Sequence, residues 1–148
     1  MAGQRLAPIR DRLARLCDAE SAVMVNNNAA ALLLILAAHA RHREVIVSRG
    51  QLIEIGGSFR LPQVMAASGC RLVEVGCTNR THLSDYEHAI TGDTAAILVA
   101  HHSNFRIIGF TAEPAIDELT GLAHSYELPL VVDQGSGNLY DLRRWGLG

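Results

Sequence analysis

The sequence has 148 residues, 49% hydrophobic and 19% charged, with a formal net charge of −2, so it suits one domain and shows no overall electrostatic pull toward nucleic acid or a membrane. Three widely spaced cysteines, Cys17, Cys70 and Cys77, with no Cys-x-x-Cys, argue against a disulfide framework or a zinc knuckle and fit a reducing compartment. The longest apolar run, Ala29–Ala38, is ten residues and too short to span a bilayer, and the start Met-Ala-Gly-Gln-Arg lacks the apolar core of a secretory signal, so a cytoplasmic location and no membrane partner are expected.

Residues 4–20 read as an amphipathic helix, with Leu6, Ile9, Leu13 and Leu16 at helical spacing among arginines. A short strand is expected at Ala22–Val25. The next helix, about Ala29–His39, is apolar on every side, which predicts deep burial. A repeating order follows. Val45–Val47 reads as a strand. Gly50 to Ser68 holds a loop and a helix, with Pro62 near the helix start and Gly69 just past its end. Leu72–Val75 is a further strand. Ser84-x-x-Glu87 has the pattern of a capping box opening a helix that runs to about Ile90. Ala95–Ala100 is a strand. Pro114 opens a helix with Ile116, Leu119, Leu122 and Tyr126 on one face, and Leu130–Val132 is the last strand.

Strands alternating with helices predict an α/β fold with a mostly parallel sheet and helices on both faces. Such sheets bind ligands outside the carboxyl ends of their strands. Four polar clusters each follow a predicted strand: Ser48-Arg49-Gly50, Thr78-Asn79-Arg80-Thr81, His101-His102-Ser103-Asn104 and Asp133-Gln134-Gly135-Ser136-Gly137. Their convergence on one sheet edge would build a cofactor site, although loops after strands are commonly polar in any case.

The run Val25-Asn-Asn-Asn-Ala-Ala-Ala31 precedes the apolar helix. Asparagine is a preferred N-cap, and small alanines leave the first-turn amides open to an anion. The run reads equally as an ordinary capped core helix. Asp133 emerges from an apolar strand and would need a cationic or hydrogen-bonding partner; a protonated pyridine nitrogen would serve, and so would a turn. Asn104 could donate to a phenolate or carbonyl oxygen, or simply form a turn. His101 and His102 are adjacent and point to opposite faces when extended, which argues against a two-histidine metal site and leaves one of them to cover a flat ring. Arg49, Arg60, Arg80 and Arg106 are candidate anion holders, or solvated surface groups.

In order, Val25–Ala31, Val47-Ser-Arg-Gly-Gln-Leu-Ile-Glu-Ile-Gly-Gly-Ser-Phe-Arg60, Glu74-Val-Gly-Cys-Thr-Asn-Arg-Thr-His82, Ser103-Asn-Phe-Arg-Ile-Ile-Gly-Phe-Thr111 and Asp133-Gln-Gly-Ser-Gly137 resemble the bacterial selenocysteine synthases, the L-seryl-tRNA(Sec) selenium transferases. The resemblance covers nearly the whole chain from about residue 10. It implies the aspartate-aminotransferase-like (fold type I) architecture of pyridoxal 5'-phosphate enzymes, with residues 1–148 forming part of the large domain. It implies that Asn27, Asn28, Ala29 and Ala30 hold the cofactor phosphate, that Asp133 pairs with the pyridine nitrogen, and that Asn104 lies near the ring oxygen. Ser136 would join this set; Arg49, Arg60 and His101 would serve substrate or anion binding. Ile55 lies where related enzymes stack an aromatic side chain on the ring, so an aliphatic contact or His101 is expected in its place.

The implied reaction is β-replacement, in which the seryl hydroxyl of seryl-tRNA(Sec) gives way to selenium from selenophosphate. The family assembles as homo-oligomers, decamers among them. Its Schiff-base lysine lies in a Ser-Gly-Asp-Lys segment beyond the Asp-x-Gly-Ser-Gly motif, and its N-terminal tRNA-binding domain precedes the part matched here. All thirteen basic residues of this chain are arginine. The chain alone is therefore expected to be inactive and, with an unpaired strand edge, to associate. A related lyase acting on a small amino acid or amino sugar, or an inert truncated chain, are the alternative readings.

Overall fold

A computed structural model describes residues 7–57, 59–135, 137 and 142–147. The predicted first helix is α1, Ala7–Leu16, and the asparagine run opens α2, Asn28–His39. Then come β1 (Glu44–Ser48), β2 (Glu54–Ile55), β3 (Phe59–Arg60), α3 (Leu61–Ser68), β4 (Arg71–Val75), α4 (Leu83–Ala89), β5 (Thr94–Ala100), α5 (Ile116–Ser125) and β6 (Leu130–Asp133). Short 3-10 turns cover Arg49–Gln51 and Leu142–Trp145.

The main sheet has the order β4-β1-β5-β6 and every pairing in it is parallel. β2 and β3 form a separate antiparallel hairpin. Parallel strands covered on both faces must be apolar on both sides. Val45, Ile46 and Val47 of β1 and Ile97 and Leu98 of β5 are accordingly all fully buried. Val45, Val47 and Leu98 join Leu32 and Leu36 of α2 and Leu61 and Met65 of α3 on one face. Ile46 and Ile97 join Tyr86 of α4 and Leu119, Leu122 and Ala123 of α5 on the other. The chain leaves β1 toward β4 through α3 and leaves β5 toward β6 through α5. Crossovers of one hand in opposite directions put their helices on opposite faces, as found here. The strand order therefore reverses between β1 and β5, the place where such sheets bind ligands.

Several expectations change. Ala22–Val25 forms no strand; Val23, Met24 and Val25 lie exposed instead of packing on the sheet. In α2 only Leu32 and Leu36 are buried among its leucines; Leu33, Leu34 and Ile35 are exposed. One helix face covers the sheet, and nothing among the described residues covers the rest. α4 begins at Leu83 with His82 as its cap, two residues ahead of the Ser84–Glu87 reading, because Asp85 supplies the carboxylate that accepts the His82 N–H at 2.7 Å. α5 starts two residues after Pro114, with the Glu118 carboxylate accepting the Ala115 N–H at 2.8 Å; Ile116 and Tyr126 lie on its exposed side.

Candidate functional site

The site begins at the start of α2. Asn27 is extended, at φ −164° and ψ 170°, and its side-chain oxygen accepts the Ala30 N–H at 2.8 Å. The Ala31 N–H donates to the Asn27 carbonyl at 3.1 Å. That leaves the N–H groups of Asn28 and Ala29 without an acceptor among the described residues. Two free amides at a helix start carry the positive end of the helix dipole and suit an anion. Ala30, expected to share in that grip, has its amide engaged by the cap instead.

Asp133 closes β6, paired in register with Ala100 at the end of β5. Its Oδ1 accepts two hydrogen bonds, from Asn28 Nδ2 at 2.8 Å and from the Gly135 N–H at 3.0 Å. The Asn28 bond joins the helix start to the strand end across 105 residues of sequence. Gly135 adopts φ +55°, and a Cβ there would collide with Ser103 Oγ, so both its backbone turn and its close approach call for glycine.

Between these groups lies a cavity of about 530 Å³, lined by Asn27, Asn28, Ala29, Ile53, Ile55, Gly56, Phe59, His101, Ser103, Asp133 and Gly135. This falls within the range of small-molecule sites, about 300–1,000 Å³. One end is polar, with amides and a carboxylate; the wall from the β2–β3 hairpin is apolar. A second cavity, of about 400 Å³, lies beside it and shares His101 and Asp133 in its lining, together with Gln51, His102, Glu113 and Gln134.

Of the sequence-predicted residues, Asn27, Asn28, Ala29, His101 and Asp133 are thus brought to one cavity. Ser136 lies outside the described residues. Asn104 is elsewhere: its side-chain amide donates to the Glu54 carbonyl at 3.0 Å and ties the loop after β5 to the hairpin. Arg49 donates to Glu74 at 3.1 Å and to the Gly76 carbonyl at 2.9 Å, fastening the end of β1 to the end of β4. Arg60 donates to Glu54 at 2.7 Å across the hairpin. Neither arginine lines the cavity, nor do Arg80 and Arg106. Both ion pairs are half exposed and add at most about 1 kcal/mol each. Phe59, which no sequence pattern singles out, faces Ile55 across the hairpin and joins it in the cavity wall. The Gly56-Gly57 pair was the available signal, as a hairpin turn that would carry its flanking residues to one place.

Around the cavity the strand ends are locked together. Gln51 is buried and its Oε1 accepts the Ala100 N–H at 3.1 Å. His102 Nε2 lies 3.0 Å from the Gly50 carbonyl and 3.5 Å from Glu113, which uses this ring for structure. Ser48 and Thr81 share a buried hydroxyl contact at 2.7 Å. Among the described residues no group of three His, Cys, Asp or Glu could hold a metal ion, and no helix is long and apolar enough to cross a membrane.

The chain is 56% identical over 145 residues to an L-seryl-tRNA(Sec) selenium transferase of Solidesulfovibrio magneticus, covering 98% of this chain and 31% of that protein. It is 57% identical over 144 residues to the Desulfotalea psychrophila protein of the same description, covering 97% and 31%. The chain therefore spans about a third of the length of these curated relatives. Among solved structures, a D-glucosaminate-6-phosphate ammonia-lyase superposes with a TM-score of 0.82 at 23% identity, over 93% of this chain and 40% of that one. A 3-amino-5-hydroxybenzoic acid synthase gives 0.65 at 21% identity, over 90% and 33%. These likenesses establish the aminotransferase-like α/β fold. A family model described as L-seryl-tRNA selenium transferase matches residues 1–148, and the chain belongs to that family.

Proposed function

We propose that this chain forms the cofactor-cradling part of a pyridoxal 5'-phosphate-dependent large domain. The reading rests above all on the 2.8 Å contact that puts the start of α2 and the carboxylate of Asp133 into one cavity. The residues fit the group. The free amides of Asn28 and Ala29, with Asn27 and Ala30 in the same first turn, would hold the phosphate. Asp133 would hold a proton on the ring nitrogen. Ile53, Ile55, Phe59 and His101 would wall the ring and exclude water from it. When bound, the cofactor supplies an electron-withdrawing ring. Asp133 keeps that ring protonated, and the hairpin keeps it oriented.

The complete protein would convert seryl-tRNA(Sec) to selenocysteinyl-tRNA(Sec) with selenophosphate, as a cytoplasmic homo-oligomer. Identity of 56% to a selenium transferase, against 23% to the ammonia-lyase, favours this over a lyase acting on an amino sugar. With no lysine among its residues, this chain taken alone would bind the cofactor without turnover. Two measurements test the reading. The purified chain should bind pyridoxal 5'-phosphate, followed by its phosphorus resonance. In the complete protein, Asp133→Asn should lower selenium transfer about tenfold or more, the worth of one charge-assisted hydrogen bond. No binding at millimolar cofactor, or an undiminished rate in the variant, would refute it.

A further inference from the structure

We infer that Asn28 is a positioning residue for Asp133, in addition to lending its backbone amide to the helix start. The inference rests on the cofactor reading above. Capping α2 is the work of Asn27, so the helix itself gives no reason for a second asparagine at its first position. The Asn28 side chain instead donates to Asp133 Oδ1 at 2.8 Å. Among the described residues the other donor to that carboxylate is the Gly135 N–H, local, two residues along the same turn. Among the described residues, Asn28 is the group that ties the carboxylate to a distant element. Both donors fall on Oδ1, and Oδ2 accepts nothing among the described residues. An ionised carboxylate has acceptor sites on both oxygens. Fixing Oδ1 leaves Oδ2 as the oxygen for a protonated heteroaromatic nitrogen, and a neutral amide donor supports the ionised form without adding a competing charge.

The test uses the full chain, two probes and calorimetric titration. Pyridoxamine 5'-phosphate requires no lysine to be held. Its 1-deaza analogue keeps the phosphate and carries C–H in place of the ring nitrogen. Asn28→Ala should weaken the first probe about tenfold, as expected for a hydrogen bond to a charged group, and the deaza analogue by less than about twofold. In an Asp133→Asn background the same substitution should have little further effect. Asn28→Ser keeps a small polar residue at the helix start but lacks the reach, and should give the same probe-selective loss. Equal weakening of both probes would assign Asn28 to the phosphate end or to folding, and no weakening would leave it without a role; either overturns the inference while the cofactor reading stands. Failure of the unaltered chain to bind either probe overturns both.

Discussion

Tyr86→Phe tests the packing beneath the strand ends. Tyr86 is fully buried among Ile46, Val75, Ile97 and Leu119, and its hydroxyl has no hydrogen-bond partner among the described residues. Ser48 is near, its hydroxyl 2.7 Å from Thr81, but it does not reach hydrogen-bonding geometry with the phenol. A buried unpaired hydroxyl costs about 1–3 kcal/mol. Removing the oxygen while keeping the ring should therefore raise stability by about 1 kcal/mol at neutral pH. Burial, reinforced by the negative charge of Glu113, also pushes the phenol up to about 12. An unfolded tyrosine ionises near ~10. The folded state thus holds its proton longer; this contribution is complete below the unfolded value and is lost as pH rises from there to about 12. At pH ~11 the advantage of the variant should widen by about 1.4 kcal/mol. Urea unfolding at both pH values is the assay. With a slope of about 1–3 kcal/mol/M, a gain of ~1 kcal/mol moves the midpoint up by about 0.3–1 M. A midpoint that falls by as much at neutral pH would show that the hydroxyl is bonded inside the fold, and the reasoning would be wrong.

Two further outcomes follow from the same structure. Asn27→Ala removes the side-chain cap of α2 and should cost about 1 kcal/mol in urea unfolding; an unchanged midpoint would mean the cap does not form in solution. The edge of β6, unpaired among the described residues, and the exposed Leu33, Leu34 and Ile35 should make the isolated chain associate, which light scattering across a concentration series will show; a single monomeric species throughout would refute this.

The layered order was legible because each sheet strand is a β-branched or aliphatic run too short for a helix. The cap at Asn27 was legible because a polar residue before an apolar run has one local use. Burial was not legible from α2, since an all-apolar helix shows only that partners are wanted, and Leu34 here has none among the described residues. Arg49 and Arg60 could be listed as free cations only while their partners were unknown. Glu74 reaches Arg49 through the β1–β4 pairing, a contact between strands 25 residues apart. The hairpin escaped because two-residue strands carry no period, and with it went Phe59.

The bond between Asn28 and Asp133 links positions 105 residues apart. During synthesis from the amino terminus, the amide end of the cavity is made early and must wait for α3, β4, α4, β5 and α5 before its opposing carboxylate leaves the ribosome. A ligand that needs both ends can favour only the finished arrangement, never a shorter nascent chain. Capture of such a ligand then follows the pairing of β6, and its arrival would mark the moment at which that strand has joined the sheet.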